Sequence, residues 1–344
     1  MVSNNYSLTL ASRRASSQQY PRQHLYGVDY LEAAGHDVRC VDPSEHQWLT
    51  RAGRRGRGRW GDLGQEVAIW RAMSDASVCY AAEPWHVGGA SRLRGRGRWP
   101  APMIAVLHQP PRGSSAVELV RGFDVTLCLS RKTAEQAVAA GRDPGRTMTL
   151  PWGPDVSMAG YESTGSEFVL SSGKTNRDLR TLLSASSGLD VPVRVYSLEP
   201  LDGVPGNVEV VTTDRHEDLG GGSSPQFAFE TVLRDTCRAA VVAIPLADPD
   251  RLSGLTEIND ALALGKPILM TRTPYIDVDI EEIGCGRWIA PGDVAGWRSA
   301  LCELWEDASL RASMGAAGRR FAEQSWNCDL FGAGVVAAVE AAAS

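Results

Sequence analysis

Short apolar runs alternate along the chain with stretches whose apolar residues recur at helical spacing. That alternation predicts an α/β protein with parallel strands. In the first half, strands are predicted at "SLTLA" (7–11), "DVRCV" (37–41), "SVCYA" (77–81), "MIAVLH" (103–108), "VTLCLS" (125–130) and "TMTLPW" (147–152). Helices are predicted before Gly35 and over about 131–140, each stopped by a glycine. The stretch 153–167, "GPDVSMAGYESTGSE", has no periodicity and reads as a linker. Strands then resume at "FVLSSG" (168–173), "VRVYSL" (193–198), "VEVVT" (208–212), "AAVVAIPL" (239–246), "PILMT" (267–271) and "GRWIA" (286–290). From Val294 onward the pattern is helical.

Two similar α/β halves suggest twin Rossmann-like domains facing across a cleft, with ligands beyond the carboxyl ends of the strands. The expected boundaries are 1–155 and 156–325, with a C-terminal helix over 326–344 that packs back on the first domain. The 344-residue length suits two domains of about 150 residues each. A net charge of −6 argues against a nucleic-acid binder. Seven cysteines without a C-x-x-C spacing read as buried thiols in a reducing, cytoplasmic setting and offer no zinc site. No signal peptide and no membrane-spanning run is apparent, although contact with a membrane surface stays open. "RGRGRW" occurs twice, at 55–60 and 94–99, and both copies are expected to be exposed loops.

Chemistry concentrates in two places. In "SGLTEINDALALGKP" (253–267), a helix is expected to begin at Leu255 or Thr256, after Gly254. Its first N–H groups would face a phosphate, Gly254 would allow close approach, and Ser253 or Thr256 could cap the helix or bind the phosphate. Asp260, one turn on, could accept both hydroxyls of a ribose from an exposed helix end. For Glu257, Asn259 and Asp260 a purely electrostatic role at a helix start is the equal alternative. In "FVLSSGKTNRDLRTLLSA" (168–185), Gly173, Lys174 and Arg177 lie at a strand-to-helix turn, where two cations suit a diphosphate.

These stretches resemble the retaining family-4 glycosyltransferases of the GT-B fold. "SGKTNRDLRTLLSA" is similar to that family's "GR…KG-x-D-x-LI-x-A", and "GLTEINDALALGKPIL" to its "FG-L-x-x-x-EAMA-x-G-x-P". "IAPGDVAGWRSALCELWEDASLRASMGAAGRRFAEQSW" resembles its C-terminal run. The likeness is thinner in the first half, through "HLYGVDYLEAAGHDV", "AVLHQPP" and "LPWGPD". It implies a nucleotide-sugar transferase with a UDP- or GDP-linked donor, a small-molecule acceptor such as a natural product or thiol, retention at the anomeric carbon, and no metal or other cofactor. Lys174 and Arg177 would stabilise the leaving diphosphate without being needed for folding. Gly173, Gly254, Leu255, Thr256, Glu257 and Asp260 would form the donor site, and His108 would position the sugar. The chain departs from the family pattern in two ways: Leu252 stands where the first of two acids is usual, and "SSQQYPRQ" replaces a glycine-rich loop. Asp248, Asp250 and Glu257 are the candidate replacements for that acid. The departures leave open a sugar-nucleotide-binding protein without transfer, or an isomerase or epimerase.

Overall fold

The computed structural model describes the whole chain except residues 45–47, 50–51, 53–59, 73–74, 158–162, 164 and 213–228. The chain divides into two compact units. The first comprises Met1–Trp152 and Cys328–Ser344, and the second the described residues between Gly153 and Asn327.

In the first unit, six strands form one sheet: β1 (Val2–Ser3), β2 (Cys40–Val41), β3 (Cys79–Ala81), β4 (Met103–Leu107), β5 (Val125–Cys128) and β6 (Thr147–Thr149). Their order is β2-β1-β3-β4-β5-β6, and every pairing is parallel. The helices are α1 (Leu8–Ser16), α2 (Val28–Ala33), α3 (Leu63–Ala72), α4 (Gly88–Gly95), α5 (Gly113–Arg121) and α6 (Arg131–Ala139). Residues 103–107 are buried throughout, as a parallel strand covered on both faces requires.

The predicted strand at 7–11 is wrong. "SLTLA" alternates like a strand, but it opens α1. Ser7 caps the helix by accepting from the Leu10 N–H at 3.0 Å, and its own hydroxyl donates to Asp42 at 2.7 Å. Local capping chemistry overrides a five-residue alternation. The second "RGRGRW" copy is exposed over 95–98, as expected, but its two ends are held by the fold. Arg94, in the last turn of α4, donates to both oxygens of Asp124 at 2.9 and 2.8 Å, and Trp99 is buried. Of the first copy, only Trp60 lies within the described residues.

In the second unit the strands are β7 (Val169–Ser171), β8 (Val193–Tyr196), β9 (Val208–Val211), β10 (Val241–Ile244), β11 (Ile268–Thr271) and β12 (Gly286–Ile289). The order is β12-β11-β10-β7-β8-β9, again wholly parallel. Its helices are α7 (Leu179–Ser186), α8 (Phe229–Arg238), α9 (Leu255–Ala263), α10 (Val294–Glu306) and α11 (Ala308–Ser325). Val169, Leu182, Val241, Leu269 and Trp297 join one buried core between sheet and helices. Lys266 is structural: its buried ammonium donates to the carbonyls of Gly165, Cys237 and Ala239 at 3.1, 2.7 and 2.7 Å. Desolvation draws its pKa down to about 8.

The chain then returns to the first unit as α12 (Cys328–Ala343). Gly332 admits the Tyr30 ring of α2, and Phe331 meets Tyr26 edge-on. Among the described residues, no helix is long and apolar enough to cross a membrane. All seven cysteines are free, and five are buried.

Candidate functional site

The strand order of the second unit reverses between β7 and β10: β8 and β9 extend the sheet on one side, β11 and β12 on the other. In open parallel sheets the crevice at such a switch point, beyond the carboxyl ends of the strands, is where ligands bind. The two loops leaving β7 and β10 there are residues 172–178 and 245–254. They contain Gly173, Lys174 and Arg177 on one side and lead into Gly254, Leu255, Thr256, Glu257 and Asp260 on the other.

Asn176, which sequence reasoning passed over, joins these loops. Its backbone is left-handed, with φ of 59°. Its side-chain amide donates to the Asp248 carbonyl at 2.7 Å and to the Ser253 hydroxyl at 3.2 Å. Its side-chain oxygen accepts from the Asp248 N–H at 2.8 Å, and its carbonyl accepts from the Ala247 N–H at 3.2 Å. Asparagine suits the place because it tolerates the left-handed region and carries both donor and acceptor. Asn176→Ala is expected to lower stability by about 1–3 kcal/mol. Asn176→Gly, which relieves the φ constraint but restores no bond, should regain only part of that in thermal denaturation.

Helix α9 starts at Gly254, whose φ is 89°, and no side chain caps it. The glycine serves packing as well as conformation. A Cβ at 254 would lie 2.7 Å from Ile244 Cγ2 and 3.0 Å from Met270 Cε, so its bare face is turned to protein and not to a ligand as expected. Leu255 is buried, while Thr256 is exposed at the open N-terminal turn. Ser253 does not cap the helix; its hydroxyl is engaged by Asn176. The uncapped turn leaves amides and the positive end of the helix dipole facing outward.

Arg177 reaches across from the other loop. Its guanidinium forms an ion pair with Glu257, with 6% and 11% of the two side chains exposed. A second contact runs from Arg177 Nη1 to the Thr175 carbonyl, 2.5 Å away. Gly173 lies directly beneath this pair: a Cβ there would collide with the Glu257 carboxylate and with the Arg177 guanidinium. Lys174 is exposed, and partial desolvation lowers its pKa from the usual amine value. Asp260 corrects another expectation. It is 7% exposed, not at an exposed helix end, and its carboxylate accepts no hydrogen bond among the described residues. Desolvation, followed by the nearby Glu257 charge, pushes its pKa up to about 8. At neutral pH the site therefore holds a neutral Asp260, a self-compensating Arg177–Glu257 pair, the Lys174 cation and an open helix end.

The candidate replacements for the missing acid separate clearly. Leu252 is in the core, and Asp248 caps its own loop by accepting from the Asp250 N–H at 2.9 Å. Glu257 is the acid that meets the Arg177 loop. His108 belongs to the first unit, just past β4. Its Nε2 lies 2.7 Å from the Ala82 carbonyl, and its ring is 5.3 Å from that of Tyr26. Desolvation lowers its pKa, so the ring is neutral and donates from Nε2 to that carbonyl, leaving Nδ1 as an acceptor.

The fold is that of the GT-B glycosyltransferases, with two parallel sheets of six strands flanked by helices. The chain is similar to Anabaena Alr3699/HepE, solved in complex with UDP and glucose: TM-score 0.64 and 13% identity, covering 91% of this chain and 88% of that one. It is similar to a glycosyltransferase from Rickettsia africae ESF-5, with a TM-score of 0.64, 10% identity and coverage of 99% and 97%. It is also similar to WaaG, a glycosyltransferase involved in lipopolysaccharide biosynthesis, with a TM-score of 0.62, 15% identity and coverage of 100% and 98%. No protein-family model and no curated protein sequence matches the chain.

Proposed function

We propose that the protein is a glycosyltransferase that takes a sugar from a nucleoside diphosphate, UDP before GDP, and moves it to a small-molecule acceptor. The observation that carries this reading is the switch point between β7 and β10, where the uncapped start of α9 meets the Lys174–Arg177 turn. The structure of HepE with UDP and glucose, on the same fold, supports a uridine nucleotide as the donor. The diphosphate would lie at the α9 N-terminus beside Lys174, and the ribose would reach Asp260. As the bond from the anomeric carbon to the diphosphate breaks, charge grows on the leaving oxygens. The helix end and Lys174 would stabilise it, with Arg177 oriented by Glu257. Retention at the anomeric carbon follows from the family resemblance.

Titration calorimetry with UDP and GDP tests the nucleotide site, and turnover of radiolabelled sugar nucleotides tests transfer. Lys174→Ala is expected to reduce kcat/KM by an amount equivalent to about 2–4 kcal/mol, without a change in melting temperature. Unchanged turnover in this variant would remove the leaving-group role. Activity is expected to survive excess EDTA, because protein cations and a helix end would supply the field that a metal supplies elsewhere. Loss with chelator and recovery with magnesium would overturn that point. The Arg177–Glu257 pair favours one other reading, since a compensated cation stabilises a leaving group less than a free one. A protein that binds sugar nucleotides without transferring the sugar would show tight UDP binding and no donor consumption.

A further inference from the structure

Among the described residues, three that are not glycine have a left-handed backbone: Gln18, Tyr26 and Asn176. Gln18 is exposed, and Asn176 joins the loops of the nucleotide site. Tyr26 is a different case. Its φ is 52°, it is buried, and its side chain cannot bond its own backbone as that of an asparagine can. A bulky residue keeps such a conformation only where its surroundings impose it, and functional sites are where such outliers cluster.

The surroundings of Tyr26 are a clamp. Its carbonyl accepts from the Tyr80 hydroxyl of β3 at 2.8 Å. Its ring stacks on Trp152, with centroids 5.6 Å apart and planes 13° from parallel, and lies 5.3 Å from the His108 ring. The next residue, Gly27, leads into α2 against α12, where a Cβ would lie 3.1 Å from the Val335 Cβ. The clamp leaves out the hydroxyl. Tyr6 and Tyr80 each donate to a backbone carbonyl, of His24 and of Tyr26. The Tyr26 hydroxyl has no hydrogen-bond partner among the described residues, and it reaches the surface.

Position adds a second, independent observation. In the first sheet, β2 lies on one side of β1 and β3 to β6 on the other, so the strand order reverses between β1 and β3. The crevice beyond the carboxyl ends at such a reversal is a ligand site in open parallel sheets. Glu83 stands there, just past β3, and His108 just past β4. Glu83 Oε2 accepts from the Trp85 N–H at 3.0 Å, which fixes the carboxylate at the start of the short turn over 84–87. Desolvation, followed by Tyr20 and the Glu83 charge, raises the Tyr26 pKa above the usual phenol value, so the phenol keeps its proton and serves as a donor.

We infer that the Tyr26 hydroxyl and the Glu83 carboxylate bind the acceptor, and that the acceptor is a hydroxyl-rich molecule without negative charge, a sugar or polyol. A hydroxyl accepts from a phenol and donates to a carboxylate, so neighbouring hydroxyls satisfy both groups. A thiol is a weak donor and serves the pair poorly. A phosphate or carboxylate on the acceptor would be repelled by Glu83. The inference narrows the acceptor of the proposed transferase and rests on that reading. Both residues nevertheless belong to the first unit, and their site is probed without a nucleotide.

The test is saturation-transfer NMR on the full chain with methyl α-glucopyranoside and myo-inositol as hydroxyl-rich probes, glucose 6-phosphate as the anionic one and N-acetylcysteine amide as the thiol. Both hydroxyl-rich probes are expected to bind, and the other two at least about tenfold more weakly. Tyr26→Phe and Glu83→Gln should each weaken methyl glucoside binding by about tenfold. Neither should change the melting temperature: the first removes a hydroxyl without a protein partner, and the second keeps an oxygen for the Trp85 N–H. Absence of binding by the hydroxyl-rich probes, equal binding by wild type and Tyr26→Phe, or a preference for glucose 6-phosphate would overturn the inference. So would displacement of the probes by UDP-glucose but not by UDP, since the hydroxyls recognised would then be those of the donor sugar. Titration of UDP into the same samples separates the two readings. UDP binding without probe binding removes this site alone, whereas probe binding without UDP binding keeps this site and removes the nucleotide site.

Discussion

Arg177→Ala is expected to destabilise the protein by about 3–5 kcal/mol, in contrast to the sequence-based expectation that this cation serves only the ligand. The substitution leaves the Glu257 carboxylate buried beside Gly173 with no counter-charge. It also brings that uncompensated charge to bear on Asp260, whose ionisation Glu257 already opposes. The double variant Arg177→Ala, Glu257→Gln should regain most of the lost stability, because it removes the stranded charge as well as the guanidinium. Chemical denaturation of the two single variants and the double variant measures the coupling. If Arg177→Ala alone unfolds at the wild-type midpoint, the pair is not a structural unit. If it is destabilised as expected, catalytic loss is read in the double variant, where folding is not in question.

Asp260→Asn is expected to flatten the pH dependence of stability. The carboxyl's ordinary pKa is 3.8, and burial raises it to about 8 in the folded chain. Between those values the native state holds a proton that the unfolded state has released. Stability from this group is therefore full below pH about 4, falls by up to about 1.4 kcal/mol per unit as pH rises, and levels off near pH 8. Asparagine keeps the shape of the neutral acid and has nothing to titrate. The variant should match wild type below pH about 4 and be the more stable of the two at pH 8, and melting curves across that interval decide it. Nucleotide binding carries the same signature in the other direction. Ribose hydroxyls donating to Asp260 would favour the ionised acid, so UDP affinity should rise with pH up to about 8, by no more than about tenfold per unit. Calorimetry in buffers of different ionisation enthalpy would detect the released proton. Affinity that does not change with pH would detach Asp260 from the ribose.

The parts of the fold that were legible in the sequence are those set by burial on both faces. Runs such as 103–107 and 241–244 are too apolar to be anything but central strands, and each was placed to within a few residues. The start of α9 was legible for a related reason: a glycine between a buried strand and a helical pattern marks a helix entry. Pairings across the chain were hidden. Arg177 and Glu257 are 80 positions apart, and nothing local distinguishes Arg177 from a solvated arginine. Asn176 looked like an ordinary turn residue because its partners, Asp248 and Ser253, lie more than 70 positions away. The burial of Asp260 was misread for the opposite reason: its neighbours Glu257 and Asn259 suggested a polar helix end, yet both are also buried.

The return of the chain into the first unit has a consequence for its architecture. The second unit opens at Gly153 and closes at Asn327, and those two ends touch: a Cβ on Gly153 would overlap the backbone of Trp326 and Asn327. A module whose entrance and exit coincide is an insertion that its host can lose or exchange without a gap to bridge. The described residues of the second unit form a natural cassette. A gene fragment bounded there should yield a free-standing sheet-and-helix body, and the first unit should tolerate a different cassette, or a short tether, at the same seam.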